Sequence, residues 1–142
     1  MTDGDILVFR LGRQRFGMKT AAVREVFHLA APTSVPLAPV FVIGLMNLRG
    51  RVVTLICARL LLGMRARGTA GVAVGFEIDG DSFGLIVDAV EGVVIPDAGP
   101  LAPPHDLPAA AAGLSTGICR VNGRHVTLLD ATRMVDFDVA MA

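Results

Sequence analysis

Two stretches of this chain occur twice. Residues 7–26 (LVFRLGRQRFGMKTAAVREV) align with 74–93 (VGFEIDGDSFGLIVDAVEGV) at a constant offset of 67, which pairs Phe9 with Phe76, Leu11 with Ile78 and Phe16-Gly17-Met18 with Phe83-Gly84-Leu85. Val23 and Val26 meet Val90 and Val93 in the same alignment. Residues 44–58 (GLMNLRGRVVTLICA) then align with 117–131 (GICRVNGRHVTLLDA) at an offset of 73, so that Gly44, Gly50, Arg51, Val53, Thr54 and Leu55 recur as Gly117, Gly123, Arg124, Val126, Thr127 and Leu128. Matched positions predict two copies of one small fold, and unmatched positions are then the candidates for function. Two copies are too few for a solenoid, which needs at least about three to bury its faces.

The pattern within each copy is that of short strands. Ile6–Leu11 and Phe16–Thr20 flank Gly12-Arg13-Gln14-Arg15, and Val72–Ile78 and Phe83–Ile95 flank Asp79-Gly80-Asp81. Val40–Leu48 and Val52–Ile56 flank Arg49-Gly50, while Gly117–Val121 and His125–Asp130 flank Asn122-Gly123, the strongest short hairpin signal. Ala21–His28 fits a helical turn or a strand equally. Short helices are expected at Ala58–Met64 and Ala131–Phe137, a small-residue link at Ala66–Gly71, and a loop over Pro96–Gly113, where five prolines fall. With 16 Gly and 8 Pro, mostly between aliphatic runs, the sum is an all-β chain of about ten strands in two small barrel-like lobes. One domain over 6–137 is expected, with lobes near 6–65 and 72–137 and strand exchange between them left open.

Charge is unevenly spread. Residues 1–71 hold ten Lys or Arg against three acids, and residues 72–142 hold three against ten. If the lobes lie apart, the molecule has a positive and a negative end suited to head-to-tail contacts; strand exchange would blur that contrast. The basic half invites a nucleic-acid reading, but Tyr and Trp are absent and the other half is equally acidic, so stacking and a basic groove are poorly supplied. Leu29–Leu48 is long enough without charge to span a bilayer, but Pro32, Pro36, Pro39, Gly44 and Asn47 break it. With an acidic, polar start unlike a signal peptide's, the chain reads as soluble and cytoplasmic. Cys57 and Cys119 lack a CxxC partner, and His28, His105 and His125 lack ligand spacing, so neither a metal nor a cofactor is expected. Asp88, His105 and Ser115 are a conceivable acid, base and nucleophile, but Ser115 lacks the GxSxG context, so no catalytic residue is assigned and no enzyme is expected.

Three mismatches between the copies stand out: Glu25 against Gly92, Arg49 against Asn122, and Cys57 against Asp130. The turn at 49–50 needs only its glycine, and the second copy makes it with neutral Asn122. Glu25 lies among Val23, Val26 and Phe27, one charge in an apolar patch, which suits an interface better than a catalytic centre. An ion pair between Arg49 and Glu25 would give both a structural role.

Leu7-Val8-Phe9, Phe16-Gly17, Val23-Arg24-Glu25-Val26, Val35-Pro36, Pro39, Gly44-Leu45-Met46-Asn47-Leu48-Arg49-Gly50 and Gly84-Leu85-Ile86-Val87-Asp88-Ala89-Val90 together closely resemble the CheW family, from about Ile6 to Met134. The resemblance implies two five-stranded SH3-like barrels and a non-enzymatic coupling role in bacterial chemotaxis. The partners it implies are the cytoplasmic tips of chemoreceptors and the regulatory domain of a CheA-type histidine kinase, with ring-forming contacts to other CheW-like domains. Membrane association would then come only through receptors. By position, Glu25, Arg49 and Asn47 are assigned to receptor and kinase coupling. Val23, Val26, Val90 and Val93 either line the receptor groove between the barrels or belong to the core. The chain departs from the family pattern at Thr54 and Cys57, where Pro and Asp are common, in the Pro- and Ala-rich stretch 96–113, and in ending soon after Met134. These departures leave the pathway open, with pilus motility or development as the alternatives.

Overall fold

The structure, a computed structural model, describes residues 4–66, 71–101 and 109–136. Residues 67–70 of the expected link, 102–108 of the proline-rich stretch with His105, and Phe137 lie outside the described residues. The strands are β1 (Ile6–Leu11), β2 (Gln14–Lys19), β3 (Val23–His28), β4 (Val42–Leu48), β5 (Arg51–Cys57), β6 (Val72–Ile78), β7 (Asp81–Val87), β8 (Ala89–Val94), β9 (Ala98–Leu101), β10 (Ser115–Val121) and β11 (Arg124–Leu129). Among the described residues the short helices are α1 (Ala58–Leu61), α2 (Ala109–Leu114) and α3 (Ala131–Val135), and Thr20–Ala22 forms a 3-10 turn.

Turn chemistry sets the hairpins. Arg49-Gly50, Asp79-Gly80 and Asn122-Gly123 each place both turn residues at positive φ (51° and 83°, 51° and 85°, 50° and 75°), the type I′ geometry that matches strand twist. Gly12 alone is positive in the first hairpin, at 62°, as a type II′ turn requires. The connection Leu29–Phe41 runs against β4 through paired bonds between Thr33 and Leu45, each 2.8 Å. That approach explains Gly44, whose φ is 154° and where a Cβ would lie 2.4 Å from the Thr33 carbonyl oxygen.

The strands form two sheets, one in the order β8-β1-β2-β11-β10-β9 and one in the order β3-β6-β7-β5-β4. Each sheet therefore takes its central hairpin from the other copy: β1–β2 sits among second-copy strands and β6–β7 among first-copy strands. The borrowed hairpins dock by parallel pairing, β2 on β11 and β7 on β5. Both faces of these hairpins are covered, so β1 reads as an almost continuous buried run rather than an alternating one. Ile6 and Val8 point into one barrel interior with Cys119, Val126 and Leu128. Leu7, Phe9 and Leu11 point into a large central core shared with Phe76, Leu85, Leu114 and Met134. A third cluster of Phe27, Met46, Val53, Leu55 and Ala73 fills the other barrel.

Several expectations change. Ala21–His28, open between helical turn and strand, divides: Ala21 and Ala22 end the 3-10 turn, and Val23–His28 is a strand whose pairing with β6 satisfies its backbone. Phe83–Ile95 is two strands that part at Asp88 and enter different sheets. Pro96–Gly113 is not simply a loop: it contains β9, an edge strand where Pro100 gives up no ladder bond, and the alanine-rich α2. With β9, one barrel has six strands rather than five. Of the two charge layouts left open, the blurred one holds, since the exchange interleaves the two halves. Arg10 and Arg15 meet Glu91 at 3.9 and 2.7 Å, Arg51 lies 4.0 Å from Glu77, and Arg59 pairs with Asp88 at 2.5 Å. Each pair joins a first-half cation to a second-half anion, so the charge asymmetry serves to join the copies.

Candidate functional site

The β4–β5 hairpin ends in the Arg49-Gly50 turn, and Asn47 locks that turn by accepting a 2.8 Å bond from the Gly50 amide to its Oδ1. β3 runs along the far edge of the same sheet and brings Glu25 opposite Gly75 of β6, past a bulge at Arg24. The Arg49 guanidinium reaches across to both carboxylate oxygens of Glu25, with Nη2 2.5 Å from Oε2. This pair closes over a recess of about 120 Å³ at the barrel mouth, floored by Phe27, Leu48 and Phe83, with Arg24 beside it. Arg49 keeps 68% of its side chain exposed against 34% for Glu25. The arrangement offers a partner one ion pair that can be exchanged for an intermolecular one, beside a recess whose exposed lining is mainly polar.

Arg49 is also out of place in its own turn. The first position of a type I′ turn favours Asn or Asp, which tolerate positive φ because their short side chains bond locally; a long side chain does not. The equivalent turns here carry Asp79 and Asn122, and Asn122 is further held through its amide by Asp97 Oδ2 at 2.5 Å. An arginine at φ 51° carries backbone strain for no packing gain.

The structure brings Glu25, Arg49 and Asn47 together, Asn47 as the support of the turn that presents Arg49. It does not gather the four valines there. Val23 and Val90 are half-buried against the central core. Val26 and Val93 are exposed, at 43% and 48%, on β3 and β8, an edge strand of each sheet. One valine of each repeated pair thus supports the core and the other faces out.

The second barrel has the matching recess, about 360 Å³, bounded by Val8, Arg15, Glu91, Val94, Asn122 and Arg124. These are the copy equivalents of Gly75, Ser82, Arg24, Phe27, Arg49 and Arg51, all of which bound the first recess. Val94 in place of Phe27 leaves it more open, and its ion pair, Arg15 with Glu91, comes from different positions. That pair and Arg59–Asp88 are not visible in the sequence by motif; the opposite charges of the two halves are the only signal.

The conceivable catalytic set is not assembled among the described residues. Ser115 is buried, and its Oγ both donates to the Gly117 carbonyl and accepts from the Gly117 amide at 3.0 Å. Asp88 is engaged by Arg59 and by the Gly12 amide. Cys57 and Cys119 are free thiols, and burial pushes the Cys119 thiol pKa up. Cys57 lies at the N-terminus of α1 without capping it, whereas Asp130 caps α3 by accepting from the Arg133 amide at 3.1 Å.

A family model described as CheW-like domain matches residues 5–138. The chain is 29% identical over 135 residues to a chemotaxis protein CheW of Rhizobium meliloti, covering 92% of this chain and 87% of that one. It is 34% identical over 94 residues to a probable chemotaxis protein CheW of Rhizobium etli, covering 65% and 61%. The crystal structure of the scaffolding protein TtCheW from Thermoanaerobacter tengcongensis superposes with a TM-score of 0.82 at 27% identity, over 96% of this chain and 90% of that one. Match length and shared fold agree: this chain belongs to the CheW-like domain family.

Proposed function

We propose that this protein is a non-enzymatic adaptor of chemotaxis signalling that couples chemoreceptor tips to the regulatory domain of a CheA-type histidine kinase. Family membership supports the class, and the relatives named chemotaxis protein CheW support the pathway. The observation that carries the site is Arg49: an exposed arginine in a turn position that disfavours it, paired to Glu25 across the sheet. A strained, exposed charge that adds nothing to the core is what a binding contact, rather than folding, requires.

Two weak faces on one rigid body raise the effective concentration of kinase beside receptor. Receptor state then biases the kinase through differential contact energy, with no bond made or broken in the adaptor. Among the described residues no helix is long and apolar enough to cross a membrane, which fits recruitment to receptor arrays through receptors alone.

The test is phosphate flow through a CheA-type kinase of the same organism, with receptor membranes, in the presence and absence of the adaptor. Receptor-dependent stimulation that disappears with folded Arg49→Glu is the expected result. Undiminished stimulation by that variant refutes the site. Stimulation only with receptors of a pilus or developmental system reassigns the pathway.

A further inference from the structure

Asp88 is the single residue between β7, in one sheet, and β8, in the other, so the chain crosses between barrels at this point. Arg59 of α1 grips it with a fork, Nε to Oδ1 at 2.9 Å and Nη2 to Oδ2 at 2.5 Å. The same Oδ2 accepts the Gly12 amide of the β1–β2 turn at 2.7 Å, and the Asp88 amide donates to the Arg10 carbonyl at 3.1 Å. Arg59 Nη1 also reaches the Arg65 carbonyl at 3.3 Å. One carboxylate therefore joins α1 on one barrel, the crossover, and the first hairpin of the other barrel. The pair is shielded, with side-chain exposures of 13% and 24%, well below those of Arg49–Glu25. The hydrogen bond to Asp88 also raises the Arg59 pKa, so the cation is firmly held.

The duplication shows that this clamp is not a requirement of the fold. At the copy-equivalent positions stand Ala21, for Asp88, and Thr132, for Arg59, so the other crossover is built without an ion pair of this kind. Among the described residues, the barrels are thus fastened by a fork of charges at one crossover and not at its copy equivalent.

We propose that Arg59 and Asp88 are positioning residues that fix the orientation of the two barrels, and with it the placement of β8 relative to β3. β8 begins at the residue after Asp88, so Val90 and Val93 take their position from the clamp, whereas Val23 and Val26 belong to the opposite sheet. Without the fork, the barrels stay joined by their shared apolar core, which is non-directional. Their separation is kept, while their relative orientation loses its one charged, geometrically specific contact at this crossover.

The experiment measures an inter-barrel distance distribution by pulsed electron resonance. Spin labels go at Val52→Cys and His125→Cys, exposed sites on opposite barrels, in a Cys57→Ser, Cys119→Ala background. The parent should give one narrow distribution, and Asp88→Ala should broaden it, because the carboxylate that ties α1, the crossover and the Gly12 turn together is gone. Arg59→Met keeps the stem packing and the Gly12 bond, and should broaden it as well. Asp88→Asn keeps an acceptor for Gly12 without the charge and should fall between, so the test survives if the alanine variant does not fold. Unchanged width in folded Arg59→Met overturns the proposal, even if the melting temperature falls, because that is the signature of a merely stabilising bond. A second readout rests on the adaptor reading: the variants should lose receptor binding while keeping affinity for the kinase regulatory domain. The distance measurement does not depend on that reading, so failure of one is separable from failure of the other.

Discussion

Replacing Arg49 by asparagine should separate stability from function. The turn holds residue 49 at φ 51° and Gly50 at 83°, and the second copy holds Asn122 and Gly123 at 50° and 75°, so the replacement meets a geometry the protein already builds with asparagine. The left-handed region costs an ordinary residue roughly 1–2 kcal/mol, and asparagine recovers part of that by local hydrogen bonding, on the order of 0.5–1 kcal/mol. Against this stands the lost pair with Glu25. Because Arg49 is 68% exposed, solvent screens the pair, and exposed pairs of this kind contribute about 0–1 kcal/mol. The two effects nearly cancel or leave a small gain, so the melting temperature should stay level or rise by up to about 3 °C for a chain of this size. Urea denaturation at neutral pH measures the first quantity, and receptor-stimulated kinase activity the second. Level or raised stability with lost stimulation is the expected outcome. A loss of more than about 1 kcal/mol would mean the Arg49–Glu25 pair holds the barrel together, refuting the screening argument.

The other expectations concern packing, caps and titration. Gly84→Ala would place a Cβ 2.8 Å from Phe27 Cζ and 3.0 Å from Leu55 Cδ2, and should cost about 1–3 kcal/mol by denaturant titration. Its copy equivalent Gly17→Ala meets its nearest side-chain atom, Val126 Cγ1, at 3.1 Å and should cost less. Asp130→Ala removes the α3 cap and should cost about 1 kcal/mol, whereas Cys57→Asp supplies α1 with the cap it lacks and should raise the melting temperature. Leu37 is fully exposed at φ 64°, so Leu37→Asn should raise stability by about 0.5–1 kcal/mol in the same titration. Cys119, whose pKa is raised by burial, should resist alkylation at pH 8 until the protein unfolds, while half-exposed Cys57 reacts. The native state keeps that Cys119 proton when the unfolded chain has lost it, so this group's contribution to stability declines as pH rises above about 8.5.

The sequence by itself determined the duplication, the four hairpins and the turns that close them, because Gly12, Arg49-Gly50, Asp79-Gly80 and Asn122-Gly123 act on neighbours only. It also exposed Arg49 and Glu25, since a repeated fold makes unmatched residues visible. Tertiary structure alone decided which sheet each hairpin joins. A period-two pattern fixes which side of a strand faces a core, but not whose core, and β1 and β6 bury both sides because each lies between a barrel interior and the shared centre. The break at Asp88 leaves no local signal for the same reason: Val87 and Ala89 are both apolar, and only packing sends them into different sheets. Five prolines in 96–113 point to a loop, but strand and helix form there because of where the stretch lies in the fold. An edge strand tolerates a missing amide, and a run of alanines after a proline is a helix start. The ion pairs Arg49–Glu25, Arg15–Glu91 and Arg59–Asp88 span 24, 76 and 29 residues, separations over which composition can announce complementary charge but only the folded chain can choose the partners.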